Sequence, residues 1–206
     1  MQRWFENNNC EGIKDTIIAY SSLTLIYDPV IIRKNNSFPG TAYQWIQKKA
    51  EQAYLESYQQ NDDEFPICRI PVCYDMEFGI DLPEVSRVTG LSLEKIIELH
   101  VSKIYRVYML GFLPGFAYLG EVDPRLHMPR KQSPTAVIAG SVGIVSNQTG
   151  LYPLNSPGGW QIIGRAPVKL FEQKDKHPVK LQAGYEVQFY EISREEFYES
   201  DIEIGL

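Results

Sequence analysis

The sequence predicts two units, a small α+β unit over residues 1–76 and a mainly-β unit over residues 77–206 that reads as a barrel or a sandwich. Three observations carry this. At 206 residues the chain is long enough for two small cores. A helix-period stripe stands between two strand-like segments in the first third. From Ile104 onward, short alternating runs recur between Gly, Pro and Asn signals.

Along the chain, TIIAYSSLTLIYD (16–28) puts Leu23, Leu25 and Tyr27 on one side at period two and reads as a strand ending before Pro29. From Thr41 to Tyr58, Ala42, Trp45, Ile46, Ala50, Ala53, Tyr54 and Tyr58 recur at three- and four-residue steps, which predicts a helix facing a sheet. In FPICRIPVCYD (65–75), Cys68, Ile70, Val72 and Tyr74 share a face, while Pro66 and Pro71 confine it to an edge or an irregular strand. Two short helices follow and are expected to form a hinge between the units. The first has Asp81 as N-cap and Gly90 past its end; the second has Ser92 as N-cap. IYRVYML, VIAGSVGIV, GWQIIG, VKLF and YEVQFYEI are the strands of the second unit. Ser193 and Glu196 form a capping box that opens a last short helix.

Composition removes several functions. The net charge of -6 disfavours nucleic acid as a main partner. No run approaches the ~20 apolar residues of a membrane span, so no membrane partner is expected, and MQRWFENNNCEG lacks the order of a secretory signal, so the expected location is cytoplasmic. Cys10, Cys68 and Cys73 contain no CxxC pair, and His100, His127 and His177 are widely spaced, so neither disulfide nor metal is expected. There is no P-loop and no GxGxxG. In AGSVG the first glycine adjoins Ser141, so a nucleophile elbow is not encoded.

Three segments remain as candidate chemistry. GFLPGFAYLG (111–120) is uncharged and rich in glycine and aromatics, and Phe112, Phe116 and Tyr118 follow no packing period. SNQTGLYPLNSPGGWQIIGR (146–165) gathers amides, hydroxyls, Tyr152 and Trp160 around paired glycines, a composition suited to a small-ligand groove. PRLHMPRK (124–131) supplies Arg125, Arg130 and Lys131 to an acidic chain; with Arg165 these are candidate oxyanion clamps, Lys131 alone reading as part of a solvated loop. His100 closes the second short helix, where either a structural or a catalytic role is open.

YRVYMLGFLPGFAYLG, DPRLHMPRK and GSVGIVSNQTGLYPLNSPGGWQIIGRAPVKLF together resemble the signature of the 5-oxoprolinase B-subunit family, also labelled allophanate hydrolase subunit 1 and including a bacterial sporulation-kinase inhibitor. The resemblance spans residues 16 to about 192. It implies a ferredoxin-like N-terminal domain and a cyclophilin-like β-barrel domain. It also implies a component of an ATP-dependent 5-oxoprolinase that opens 5-oxo-L-proline to L-glutamate. The partners it implies are a cyclophilin-like sister subunit and a third component. ATP with magnesium is then expected for the complex and none bound tightly by this chain, which is expected to be inactive alone. The alternative it carries is a non-enzymatic inhibitor of a sensor histidine kinase. Family members usually begin with an extra strand, whereas Met1 to Phe5 reads here as the start of the first helix. The N-terminal sheet is therefore expected to lack an edge strand, through truncation, a misassigned start or divergence, and an edge so exposed would favour homo-oligomer formation. On this resemblance Arg165, Arg130 and His100 are the catalytic candidates. Phe112, Pro114, Phe116, Tyr118, Gln148, Thr149, Tyr152, Ser156, Gly158, Gly159 and Trp160 are the substrate-binding candidates.

Overall fold

The computed structural model describes residues 1–57 and 67–200 and divides into two compact units, Met1–Glu64 and Phe65–Leu206. In the first, α1 (Gln2–Asn7) precedes a hairpin of β1 (Ile13–Ile18) and β2 (Leu23–Tyr27), followed by α2 (Pro29–Asn35) and α3 (Ala42–Ser57). The single strand read over 16–28 is thus two strands: the Ala19 N–H donates to the Ser22 carbonyl at 2.9 Å and folds the chain back. Leu23, Leu25 and Tyr27 do share the half-buried face of β2. Pro29 opens α2 at a position that needs no N–H donor, with the Asp28 carboxylate accepting from Val30 and Ile31.

Thr41 and Gln44 cap α3 reciprocally, side chain to backbone, at 3.2 and 2.9 Å. Its predicted stripe is buried at Ala42, Trp45, Ile46 and Ala53, but Tyr54 is exposed, and Tyr58 lies outside the described residues. A ferredoxin-like unit has four strands. Among the described residues this unit has two, so its ferredoxin-like character is not established.

The second unit is built on one curled seven-stranded sheet. Its strands are β3 (Ile67–Val72), β4 (Ile104–Leu110), β5 (Ala117–Gly120), β7 (Ser141–Val145), β8 (Gln148–Leu151), β10 (Gln161–Arg165) and β11 (Glu186–Glu191), in the order β10-β7-β8-β5-β4-β11-β3. A separate ribbon pairs β6 (Thr135–Val137) with β9 (Ser156–Gly158). Just past β3 and at the end of β10, Cys73 and Arg165 exchange both backbone hydrogen bonds at 2.9 Å. This bridge joins the two outer strands, so the sheet curls toward a barrel and the sandwich reading falls away.

β3 corrects the expected domain boundary. Cys68, Ile70, Val72 and Tyr74 are buried together as the alternation required, and the strand is terminal in the sheet order. It pairs in parallel with β11, however, which places it in the larger unit, and the division falls before it instead of at residue 76. Nor are α4 (Leu82–Thr89) and α5 (Leu93–Val101) a hinge: Leu82, Val85, Ile96 and Leu99 are buried in the core of this same unit. Gly90 takes the left-handed conformation that ends α4, and the Ser92 hydroxyl caps α5 as expected. VKLF forms no regular strand; Phe171 makes an isolated bridge to Val179. The capping box of α6 (Arg194–Glu199) is present.

Candidate functional site

The uncharged segment is the connection between β4 and β5, and it satisfies its own backbone. Gly111 N–H donates to Phe116 O at 3.1 Å, Leu113 to Gly111 at 2.8 Å and Phe116 to Leu113 at 3.0 Å, which is why the turn dispenses with Asn and Asp. Gly115 adopts φ 82°, which its neighbours could not take without strain. Phe116 is sealed in the interior, and the rings of Phe112, Tyr118, Tyr152 and Trp160 surround it edge-on with centroids 4.8 to 5.7 Å away. Phe112 behaves differently, being 61% exposed.

A cleft of about 340 Å³ opens beside this cluster. Phe112, Tyr118 and Trp160 form aromatic wall; Gln148, Tyr152 and Ser146 bring polar tips; Arg130 is the one charged side chain among the described residues that line it. The two non-glycine residues with positive φ among the described residues, Phe112 at 68° and Ser146 at 49°, both line this cleft. Ser146 and Asn147 form the two-residue turn between β7 and β8, where positive φ suits the strand twist. For Phe112 the same conformation costs about 1 kcal/mol or more, and such strain concentrates at functional sites.

The paired glycines have a steric reason. A Cβ on Gly158 would lie 2.5 Å from the Tyr152 hydroxyl, and one on Gly159 would lie 2.6 Å from Nε of Arg130. Only glycine lets both side chains lie flat against that backbone. The loop carrying Arg130 is tied down next to it. Lys131 N–H donates to Gly159 O at 2.8 Å, and its ammonium sits 2.6 Å from the Asp81 carboxylate, which also accepts from Ile162 N–H at 2.7 Å. Lys131 is therefore a structural partner of Asp81, with a side chain only 15% exposed, and not part of a solvated loop. Gly159→Ala should push the Arg130 side chain aside while leaving the fold intact, because the neighbour it meets is a long side chain. We expect the thermal midpoint to stay within about 3 °C and anion affinity in the cleft to fall about tenfold, measured by calorimetry on both proteins.

Burial pushes the Tyr152 phenol up to about 12, opposed by a backbone hydrogen bond from Trp160 and by the Arg130 charge. Tyr118 is raised for the same first reason. Both hydroxyls therefore keep their protons at neutral pH and can donate. The described residues that line the cleft include no carboxylate, imidazole or thiol. Such a site can bind a small anion, orient it and stabilise developing negative charge, but it offers no general base.

Of the sequence-predicted residues, Arg130, Phe112, Phe116, Tyr118, Gln148, Tyr152, Gly158, Gly159 and Trp160 come together here. Five do not. Arg165 lines a different cavity and donates from Nε to Ala139 O at 2.9 Å. His100 is fully buried, its ring nitrogens 2.7 Å from Tyr74 Oη and 2.9 Å from Thr149 Oγ1, so helix packing and not the helix dipole decides its role. Thr149 is buried with it, donating to Gly143 O. Ser156 has a buried hydroxyl with no hydrogen-bond partner among the described residues and lies off the cleft lining, as does exposed Pro114. Sequence reasoning missed Val145 and Ser146. The two-residue gap between strand-like runs at 146–147 was the available signal for Ser146.

The chain is similar to several known proteins. The family model described as "Carboxyltransferase domain, subdomain C and D" matches residues 1–181. The 5-oxoprolinase B-subunit of Bacillus subtilis is 40% identical over 199 residues, covering 95% of this chain and 82% of that one. Among solved structures, the conserved uncharacterized protein PH0987 from Pyrococcus horikoshii is 39% identical with a TM-score of 0.61, covering 95% of this chain and 86% of that one. The protein TTHA0988 is 36% identical with a TM-score of 0.71, covering 93% of this chain and 35% of that one, so this chain spans about a third of its length.

Proposed function

We propose that this chain, which belongs to the 5-oxoprolinase B-subunit family, is the substrate-orienting component of a heteromeric, ATP-dependent 5-oxoprolinase that opens 5-oxo-L-proline to L-glutamate. The companions in this reading are a cyclophilin-like sister subunit and a third component. The observation that carries it is the cleft itself, a single guanidinium and neutral donors between aromatic walls. At neutral pH 5-oxoproline is a monoanion with a flat, uncharged lactam ring. Its carboxylate suits the Arg130 fork, which holds planar oxyanions by two parallel hydrogen bonds. Its lactam carbonyl and N–H suit the Gln148 amide and the phenols, and its ring face suits Trp160 or Phe112.

The same residues do not fit magnesium-ATP. Magnesium is held by carboxylates together with phosphate oxygens, and the described residues of the cleft lining offer no carboxylate and one cation. Nucleotide handling and activation of the lactam carbonyl, a poor electrophile, are therefore assigned to the companions. This chain contributes position and charge neutralisation. Phe112 of the cleft lining and Pro114 two residues further along, both exposed, supply apolar area for a companion chain to cover.

The test is reconstitution. The chain, its companions and the full mixture are each assayed for 5-oxoproline-dependent ADP release and glutamate formation. Turnover is expected from the complete mixture and not from this chain alone. An intact, verified complex that hydrolyses ATP no faster with 5-oxoproline than without it would remove the proposal. A parallel assay of sensor-kinase autophosphorylation separates the inhibitor reading.

A further inference from the structure

Arg165 belongs to a second cavity that shares no lining residue with the cleft. It measures about 220 Å³ and is walled by Phe78, Ile80, Val137, Ile138 and Ile162, with Ser141 and Glu77 also lining it. The Arg165 guanidinium is held by its Nε donating to Ala139 O and by lying over the Phe197 ring, 5.6 Å from its centroid. Its terminal amino groups have no acceptor among the described residues. The Ser141 hydroxyl likewise makes no hydrogen bond there, although the residue is buried.

The one carboxylate in the lining is already engaged. Glu77 accepts from the Tyr198 hydroxyl at 2.6 Å and pairs with Arg194 at 2.8 Å, so it does not neutralise Arg165. What remains is a half-buried, pre-oriented cation with idle donors, a nearby hydroxyl and branched aliphatic walls. A partly desolvated cation without a counter-charge is costly and is offset by an anion that brings its own hydrogen-bond acceptors. A single cation amid apolar walls favours a monoanion over a phosphate dianion. The volume admits roughly seven non-hydrogen atoms at the ~30 Å³ each that liquid water occupies.

We propose that this cavity is a second ligand site, separate from the cleft, which binds a short aliphatic carboxylate with its carboxyl group on Arg165 and Ser141 and its alkyl body against Ile80 and Ile138. Val137 and Ile162 of its wall pack in one buried cluster with Phe116, Tyr152 and Trp160 of the cleft. The linings of the two sites therefore share one packed cluster while having no lining residue in common.

The test uses the full chain and 3-methylbutanoate, which has seven non-hydrogen atoms, followed by calorimetry and by the methyl NMR signals of Ile80 and Ile138. Saturable binding that shifts those signals is expected. Arg165→Gln and the neutral probe 3-methylbutanamide should each weaken binding at least about tenfold, the usual cost of losing a charge-assisted hydrogen bond, and Arg130→Gln should leave it unchanged. Should Arg165→Gln not fold, Ile138→Glu serves instead: Ile138 is exposed at the rim, and a carboxylate there should repel the ligand. Absence of saturable binding by the wild type overturns the proposal. So does a folded Arg165→Gln, or in its place Ile138→Glu, that binds as the wild type does. Equal weakening by Arg130→Gln would likewise overturn it by placing the ligand in the cleft. None of these outcomes depends on 5-oxoproline turnover, so the proposal stands or falls separately from the reading of the cleft.

Discussion

Arg130→Ala is expected to lower kcat/KM for 5-oxoproline-dependent ATP hydrolysis by the assembled complex about 100-fold, with thermal unfolding of the chain unchanged. The size follows from losing a bidentate, charge-assisted contact to a carboxylate, worth about 2–4 kcal/mol where water is excluded by a companion chain. Most of the loss should fall on KM, because a carboxylate remote from the reacting carbonyl is held equally in the ground and transition states. Stability should be indifferent, since Arg130 is exposed and the neighbouring loop is held by Lys131 and Asp81. Arg130→Lys keeps the charge but not the planar fork and should recover part of the rate. Kinetics on the reconstituted complex with each variant checks this, and an unchanged KM for Arg130→Ala would take the guanidinium out of substrate binding.

The second large effect concerns stability. Thr149 Oγ1 donates to Gly143 O at 3.1 Å, so it must accept from His100 Nε2–H, and His100 Nδ1 must then accept from the Tyr74 hydroxyl. The imidazole is thus held neutral in one tautomer, stacked on Phe189 at 4.8 Å. His100→Ala leaves a cavity and an orphaned Tyr74 hydroxyl. It should cost about 3 kcal/mol or more, or roughly 10 °C in thermal midpoint.

The histidine also sets a pH signature. Burial lowers His100 from 6.5 to about 3 in the folded protein. Below 6.5 the unfolded chain takes up a proton that the folded chain refuses, so stability is lost as pH falls from 6.5 toward 3 and is fully present above 6.5. The slope is at most about 1.4 kcal/mol per pH unit for this one proton. Denaturant titrations between pH 4 and 8 should give a shallower acid limb for His100→Gln than for the wild type. Parallel limbs would mean that His100 is protonated in the fold.

Local signals in the sequence are legible because they act over a few residues. The Ser193–Glu196 box, the Ser92 cap, the left-handed Gly90 and the alternation of Cys68, Ile70, Val72 and Tyr74 all stand as read. What fails depends on distant partners. Nothing near Ile67–Val72 says that its hydrogen bonds go to Glu186–Glu191 at the other end of the chain. Arg165 and Trp160 are neighbours in sequence, yet the intervening strand carries Arg165 about 16 Å away at the usual rise per residue, into the other cavity. The role of His100 is readable from spacing. It follows Ile96 by four residues on the face of α5 that also buries Leu99, and that spacing outweighs the helix-end argument. The aromatic cleft is legible from composition, since GFLPGFAYLG, GLY and GGW supply its walls; the placement of Ser146 requires knowing that 146–147 is a tight turn.

The substrate is expected beside Arg130 in the cleft of this chain. The most direct measurement is a crystal structure of the assembled complex soaked with 5-oxoproline and no nucleotide. Density for the lactam is expected between Phe112 and Trp160 with its carboxylate on the Arg130 guanidinium. Density for 5-oxoproline held entirely by residues of a companion chain, with this cleft holding only water, would contradict it.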